Sequence, residues 1–275
     1  MSGILFVVAT PIGNLADASA RSLEVLRGAD LVACEDTRTT RTLLARYGIA
    51  TQTVALHQHN ERAASGKLLN LLKEGKKLAL VSDAGTPALS DPGALLVEAA
   101  HRAGIKVSPV PGPSAAAAAF SAAGFAADRF LFAGFLPASA AARRKALEAL
   151  EVDCPLIVYE APHRILETVQ DLGARFGPER EIAIGRELTK KFEEMARMKL
   201  GDAAAWLRAE PQRMQGEFVL VVAAGQPRTP QAADADRILE ALLEAMSPSE
   251  AARLAAKITG LPKRGLYQKA LARAK

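Results

Sequence analysis

The chain has 275 residues, enough for two domains of ordinary size, and 49% are hydrophobic, so separate cores can form. Aromatic residues make up only 5%, which excludes a broad base-stacking platform, and the net charge of +5 suits a polyanionic partner without requiring one. Cys34 and Cys154 stand outside any CxxC or Cys/His array, which argues against structural zinc and for reduced thiols in a cytoplasmic protein. No apolar run reaches the ~18 residues of a membrane span, and the N-terminus lacks the basic region of a signal peptide.

Residues 1–112 alternate between two patterns. Short apolar runs predict strands over 4–9, 31–34, 53–56, 78–81 and 106–110. Helical patterns fall between them, over 20–27, 39–47, 63–73 and 94–103. Such alternation is the mark of a parallel sheet built from βαβ units. Right-handed crossovers gather the strand-end loops on one rim. The unusual residues lie in those loops: Thr10-Pro11-Ile12-Gly13-Asn14, Glu35-Asp36-Thr37-Arg38, His57-Gln58-His59-Asn60-Glu61, the segment 82–93, and Pro111-Gly112-Pro113-Ser114-Ala115.

Pro111-Gly112-Pro113 marks a domain boundary. From 113 to 225 the pattern predicts strands over 130–133, 156–160, 182–186, 192–198 and 217–222, with helices over 141–150, 164–176 and 202–208. The expected fold class is therefore α/β: two α/β domains, the first on a parallel sheet (1–112), the second on a mixed or antiparallel sheet (113–225). The proline-bearing segment 226–233 is a linker. A basic helical tail follows from 234 to 275. It opens a helix with the Ser247-Pro248-Ser249-Glu250 capping box, stops it at Gly260 and starts another at Pro262. Seven Lys or Arg and no acidic residue fall between 251 and 275. That pattern fits an RNA-contacting appendage, a solvated tail or a dimer contact.

The 82–93 segment carries the strongest chemistry. Asp83 and Asp91 suit ribose hydroxyls or a cation. Backbone N–H groups of Gly85, Gly112 and Ser114 suit a carboxylate. No GxGxxG follows the first strand and no GxxxxGK[ST] occurs, so nicotinamide enzymes and P-loop NTPases are disfavoured. A sulfonium, an amino-acid end and a ribose combine in S-adenosylmethionine, which meets these features. Turn chemistry is the competing account of each loop; Asp91 before Pro92 suits a helix N-cap.

Taken together, Ala9-Thr-Pro-Ile-Gly-Asn14, Glu35-Asp-Thr-Arg38, Ser82-Asp-Ala-Gly-Thr-Pro87, Pro111-Gly-Pro-Ser-Ala115, Gly134-Phe-Leu-Pro137, Tyr159-Glu-Ala-Pro-His-Arg164 and Arg186-Glu-Leu-Thr-Lys190 resemble one family in order along nearly the whole chain. It is the ribosomal RNA small subunit methyltransferase I family, within the tetrapyrrole methylases. The resemblance implies methyl transfer from S-adenosylmethionine to the ribose 2′-oxygen of a decoding-centre cytidine in 16S rRNA. It also implies a homodimer, no metal, and a donor folded between two α/β domains. Two departures stand out, at Arg197-Met-Lys-Leu-Gly201 and at Gly265 before Leu266-Tyr267.

The candidate donor-binding residues are Pro11, Asp83, Ala84, Gly85, Ser90, Asp91, Pro111, Gly112, Ser114 and Ala115, joined from the second domain by Tyr159 and Gly216. Glu187 and Glu217 are expected in the same cleft, with a structural ion pair as the competing account. A ribose hydroxyl needs a proton acceptor and in-line placement. The candidates are Asp36, matching a catalytic aspartate in related porphyrinogen methylases, its neighbour Glu35, and His57 and His59. A helix cap and ion pair is the competing account of Asp36 and Arg38. Arg38, Arg164, Arg186, Lys190, Lys263 and Arg264 are candidate RNA contacts, with 16S rRNA or the small subunit as partner. Two rival functions remain: a precorrin-type methyltransferase and a non-catalytic RNA-binding assembly factor.

Overall fold

The computed structural model describes residues 3–150, 153–225 and 232–273. Most of the predicted 226–233 linker lies outside the described residues. Two units are distinguished, 1–224 and 225–275.

The first half of unit 1 runs β1 (Ile4–Val8), α1 (Ala20–Gly28), β2 (Leu31–Cys34), α2 (Thr37–Arg46), β3 (Thr53–Ala55), α3 (Glu61–Lys73), β4 (Lys77–Leu80), α4 (Ala94–Arg102) and β5 (Lys106–Val110). The strands form one parallel sheet in the order β3-β2-β4-β1-β5. Side chains alternate across a strand, and this alternation divides the core. Leu5, Ala33, Leu78 and Leu80 pack under α3 and α4 through Leu68, Leu72 and Leu96. Val32, Cys34, Ala79 and Val81 pack on the other face against Leu26 and Leu44 of α1 and α2. Helices therefore cover both faces, and every crossover returns the chain so that the strand ends share one rim.

The chain continues through α5 (Ala115–Ala123), β6 (Leu131–Phe135), α6 (Ala140–Ala149), β7 (Leu156–Glu160), α7 (Ile165–Phe176), β8 (Glu181–Arg186), β9 (Glu194–Lys199), α8 (Leu200–Ala209) and β10 (Phe218–Val222). The second sheet has the order β6-β7-β10-β8-β9; β6 pairs parallel with β7 and the other pairs are antiparallel. One face packs Val158, Ile184 and Leu220 on α6, α7 and α8. The other packs Ile157, Ala183, Val219 and Val221 against Ala116, Ala119 and Ala123 of α5. Composition and periodicity did not predict α5, because a run of alanines has no polar face to set a period. Arg143, 1% exposed, is held inside by Asp171 at 2.6 Å and Glu167 at 3.1 Å.

Unit 2 holds three helices: α9 (Ala232–Leu243), α10 (Pro248–Thr259) and α11 (Lys263–Arg273). Both halves of the Ser247/Glu250 capping box form, and Gly260 ends α10 at φ +70. Ala235, Leu239, Ala251, Ala252, Ala255, Leu266 and Ala270 make a core of their own. The expected tail is therefore a small packed body. Lys269 pairs with Asp236 at 2.9 Å and Arg273 with Asp236 and Glu240 at 3.5 Å, which neutralises part of its basic charge. Lys263 and Arg264 are exposed at the start of α11.

Candidate active site

Three loops at the carboxyl ends of β1, β4 and β5 are stitched together by backbone and hydroxyl bonds. Thr10 and Gly85 exchange N–H···O bonds of 2.9 and 3.1 Å, and the buried Thr10 hydroxyl donates to the Ser82 carbonyl at 3.2 Å. The Thr86 hydroxyl donates to the Pro113 carbonyl at 3.1 Å. A Cβ at Gly112 would lie 3.0 Å from that of Ala9, so glycine lets the β5 loop close on β1. Within the 82–93 loop, Ala88 and Ser90 hold φ of 64 and 67, conformations unfavourable for residues with a Cβ.

These loops form one wall of a cavity of about 350 Å³. Asp83, Ala84, Gly85, Ser90, Asp91, Ser114 and Ala115, all candidate donor contacts, line it. Tyr159, Phe135, Leu188, Glu217 and Val219 line it from the second sheet and its turns. Pro11, Pro111, Gly112 and Gly216 are outside the lining, and Ile12 stands where Pro11 was expected. The apolar contributors Phe135, Leu188 and Val219 went unnoticed in the sequence, since apolar residues in or beside strands read as core. The Gly134-Phe135-Leu-Pro137 motif was the available signal.

Gly134 lets the second sheet approach the 82–93 loop, and Gly216 makes room for Glu187 within the second domain. At Gly134, φ +61, an added Cβ would land on the Ser90 hydroxyl. At Gly216, φ +93, it would meet the Glu187 side chain at 2.5 Å. Glu187 accepts from Lys190 Nζ and from the Glu217 N–H, both at 2.9 Å, and Lys190 also reaches Glu217 at 2.9 Å. Lys190 lies across Gly13 of the first loop, where a Cβ would come 2.5 Å from its Cγ. The Lys190 stem thus packs on the first loop, and its ammonium is committed to two carboxylates.

Asp91 does not cap α4. That helix begins at Ala94, and Glu61 supplies the acceptor, taking the N–H groups of Gly93 at 2.8 Å and Leu95 at 3.1 Å. Asp91 is left to face the cavity, its carboxyl pushed up by burial and then by the Asp83 charge. Tyr159 is pushed up by burial, and its hydroxyl accepts from Ala116 N–H at 3.2 Å, fixing the first turn of α5 at the cavity edge.

Glu35 and Asp36 differ sharply. Asp36 caps α2, accepting from Arg38 N–H at 2.8 Å, and pairs with the Arg38 guanidinium at 2.7 Å. The hydrogen bonds from the Arg38 side chain, then those from its backbone, hold the Asp36 carboxyl down at about 2. The helix cap and ion pair weighed against catalysis are both formed. The Asp36 N–H also donates to Asp83 at 3.1 Å, tying this turn to the cavity wall. Glu35 is pushed up, first by burial and then by the Asp91 and Asp83 charges. His57 is half-buried, and its Nδ1 is buried with no partner among the described residues. His59 is exposed, its ring 6.0 Å from that of His57.

Two expected RNA contacts are internal ties instead. Arg186 is 7% exposed and donates to the carbonyls of Gln215 at 2.7 Å and Phe192 at 3.0 Å. Arg164 pairs with the buried Glu160 at 2.6 Å and donates to the Leu136 carbonyl at 3.2 Å. Sequence shows their charge but not their burial. Arg38 is exposed. Among the described residues, no group of three or more His, Cys, Asp or Glu is placed to hold a metal ion, and no helix is long and apolar enough to cross a membrane.

Comparison with known proteins gives a consistent picture. Residues 5–204 match the family described as tetrapyrrole (corrin/porphyrin) methylases, and residues 229–274 match the RsmI C-terminal HTH domain. The chain is 49% identical to ribosomal RNA small subunit methyltransferase I of Pseudomonas aeruginosa, covering 99% of this chain and 98% of that one. It is 48% identical to the Escherichia coli O157:H7 protein of the same name, covering 98% and 95%. In fold it is similar to uroporphyrin-III C-methyl transferase from Thermus thermophilus, solved with S-adenyl homocysteine. The TM-score is 0.56 at 17% identity, over 80% of this chain and 97% of that one.

Proposed function

We propose that this chain, which belongs to the ribosomal RNA small subunit methyltransferase I family within the tetrapyrrole methylases, methylates the ribose 2′-oxygen of a decoding-centre cytidine in 16S rRNA. The methyl donor is S-adenosylmethionine. The observation that carries this reading is the interdomain cavity, with paired aspartates on one wall and a mostly apolar second wall that also carries Tyr159 and Glu217, in a chain that matches its relatives end to end.

The residues present fit that donor. Asp83 and Asp91 are acceptors for hydroxyl or ammonium groups. The first turn of α5, beginning at Ser114 and Ala115, offers N–H groups and a favourable dipole to a carboxylate. Leu188, Val219 and Phe135 supply apolar surface for a purine ring. When bound, the donor supplies an electrophilic methyl on a positively charged sulfur.

The acceptor oxygen must lose its proton as the oxygen–carbon bond forms and the sulfur–carbon bond breaks. Glu35 is the better acceptor on this rim: its carboxyl is raised by burial and it lies close enough to Asp91 and Asp83 to feel their charges, whereas the Asp36 carboxyl, held at about 2, is engaged by Arg38. His57, whose Nδ1 has no partner among the described residues, orients the hydroxyl or relays its proton. Asp36 organises the rim as the cap of α2. The enzyme works in the cytoplasm as a homodimer, a state that sedimentation will report.

A precorrin-type acceptor is the second reading, since fold neighbours include uroporphyrin-III methyltransferases. The test is paired. Calorimetry with S-adenosylmethionine should show binding that Asp83→Ala weakens. Labelled methyl should then move to 16S rRNA or small subunits and not to a porphyrinogen. Transfer only to the porphyrinogen would reverse the reading, and absence of donor binding would revive the assembly-factor alternative.

A further inference from the structure

Beside the donor cavity lies a basic face of which the chemistry proposed above uses only His57. Residues 37–60 contain Arg38, Arg41, Arg46, His57 and His59 and no aspartate or glutamate. Helix α2 starts at the cavity rim, where the Asp36 N–H is bonded to Asp83, and runs ten residues away from it, about 15 Å. Arg38, Arg41 and Arg46 are all exposed along it. Past its far end, Arg27 of α1 donates to the Tyr47 carbonyl at 3.1 Å, adding a fourth guanidinium. Asp36 holds Arg38 and Asp17 lies beside Tyr47, while Glu35, Asp83 and Glu61 flank the end of the face nearest the cavity.

The face also has a built recess. A second, open cavity of about 500 Å³ is bounded by Arg41 and Leu44 on α2, by Ile49 and Ala50 after it, and by Thr51, Gln52 and Thr53 on the approach to the edge strand β3. The Arg41 Nε donates to the Thr53 hydroxyl at 3.0 Å, which fixes the guanidinium at the recess. Its four other N–H donors have no acceptor among the described residues. An anchored guanidinium beside the polar Thr51–Thr53 wall of the recess, with more cations along the same helix toward the reaction centre, matches the spaced charges of a phosphodiester backbone.

We propose that the α2–β3 face is the track for the RNA strand flanking the target nucleotide, with the Arg41 recess holding one backbone phosphate. The inference rests on the RNA methyltransferase reading and names where that substrate lies. It also replaces the internal Arg164 and Arg186 with exposed cations on a different side of the cavity.

The test uses the full chain and a fluorescein-labelled single-stranded RNA oligonucleotide of decoding-centre sequence, titrated by anisotropy across a potassium chloride series. Arg41→Glu/Arg46→Glu should weaken binding at least about tenfold at low salt. Its log–log salt slope should be shallower by about 0.7 for each phosphate the variant no longer neutralises. S-adenosylmethionine affinity by calorimetry should stay unchanged, and Arg41→Lys/Arg46→Lys should retain most RNA affinity. Arg46→Glu alone, which disturbs no hydrogen bond among the described residues, carries the same prediction should the double variant misfold. Unchanged affinity and slope in a folded variant would overturn the proposal. So would a drop in sedimenting mass, which would assign the face to a second copy of the chain. Wild-type activity on 16S rRNA beside unaltered variants would overturn this inference alone; a wild-type chain that methylates no rRNA would defeat the functional reading instead.

Discussion

Gly134→Ala is the most revealing single change, because one methyl tests how the second sheet meets the 82–93 loop. Gly134 sits at a register shift in β6 with φ +61, and the new Cβ would land on the Ser90 hydroxyl. A left-handed conformation costs an alanine about 1 kcal/mol, and overpacking adds about 1–3 kcal/mol. The expected loss is therefore about 2–4 kcal/mol, read by urea denaturation. Ser90 lines the cavity and already holds φ 67, so the loop should yield before the sheet does. Donor affinity should then fall about tenfold, worth ~1.4 kcal/mol. Gly104→Ala is the matched control: φ is +67 and nothing lies within 4 Å of the new methyl. It should cost only about 1 kcal/mol and leave donor binding intact. Gly134→Ala/Ser90→Ala removes the struck hydroxyl and should recover part of both losses. If Gly134→Ala loses no more stability than Gly104→Ala and binds the donor as wild type does, the packing argument is refuted.

Other perturbations separate the roles of neighbouring charges. Glu35 is held above its ordinary range, so its neutral form is favoured in the folded state, and it costs stability as pH rises through its folded pKa. Glu35→Gln should therefore fold at least as stably as wild type at neutral pH while losing methyl transfer and the acidic limb of the pH–rate profile; a retained limb would exonerate Glu35. Asp36 is depressed to about 2, so its contribution is present above the ordinary carboxyl range and disappears as pH falls through about 2. Asp36→Ala should lower stability at neutral pH and keep more transfer activity than Glu35→Gln; the reverse order would restore Asp36 as the base. Arg186→Met should cost about 2–3 kcal/mol in denaturant, since it strands the carbonyls of Gln215 and Phe192; a loss confined to RNA affinity would make it a contact after all.

The fold was legible wherever alternation and punctuation agree. Val32 and Ala33, or Leu78 and Ala79, are apolar on both faces of a strand, as a sheet covered by helices demands. Ser247, Glu250 and Gly260 announce α10 by local chemistry that needs no tertiary partner. The unseen helix α5 has neither signal; only its packing on Val219 and Val221 shows why its side chains must be small. Strand β6 was expected over 130–133 and spans Leu131–Phe135, because the kink at Gly134 serves a contact with Ser90 that sequence cannot display.

In the site, the polar wall was readable because Asp83, Ser90 and Asp91 have little reason to crowd one loop. The opposite wall was not, because Phe135, Leu188 and Val219 look like any core residue until a cavity leaves them uncovered. Charge was the least reliable guide. Asp91 read equally well as a cap, and Glu61, remote in sequence, took that place. Arg164 and Arg186 looked like phosphate ligands and are spent on Glu160 and on backbone carbonyls.

The most direct test of the central claim is to identify the methylated atom. The purified chain would be incubated with isotope-labelled S-adenosylmethionine and undermethylated small subunits or 16S rRNA, and the RNA digested to nucleosides for mass spectrometry. The account predicts a single labelled 2′-O-methylcytidine derivative from the decoding centre, lost in Glu35→Gln. Label on a base, on a residue outside the decoding centre, or in no RNA at all would contradict it.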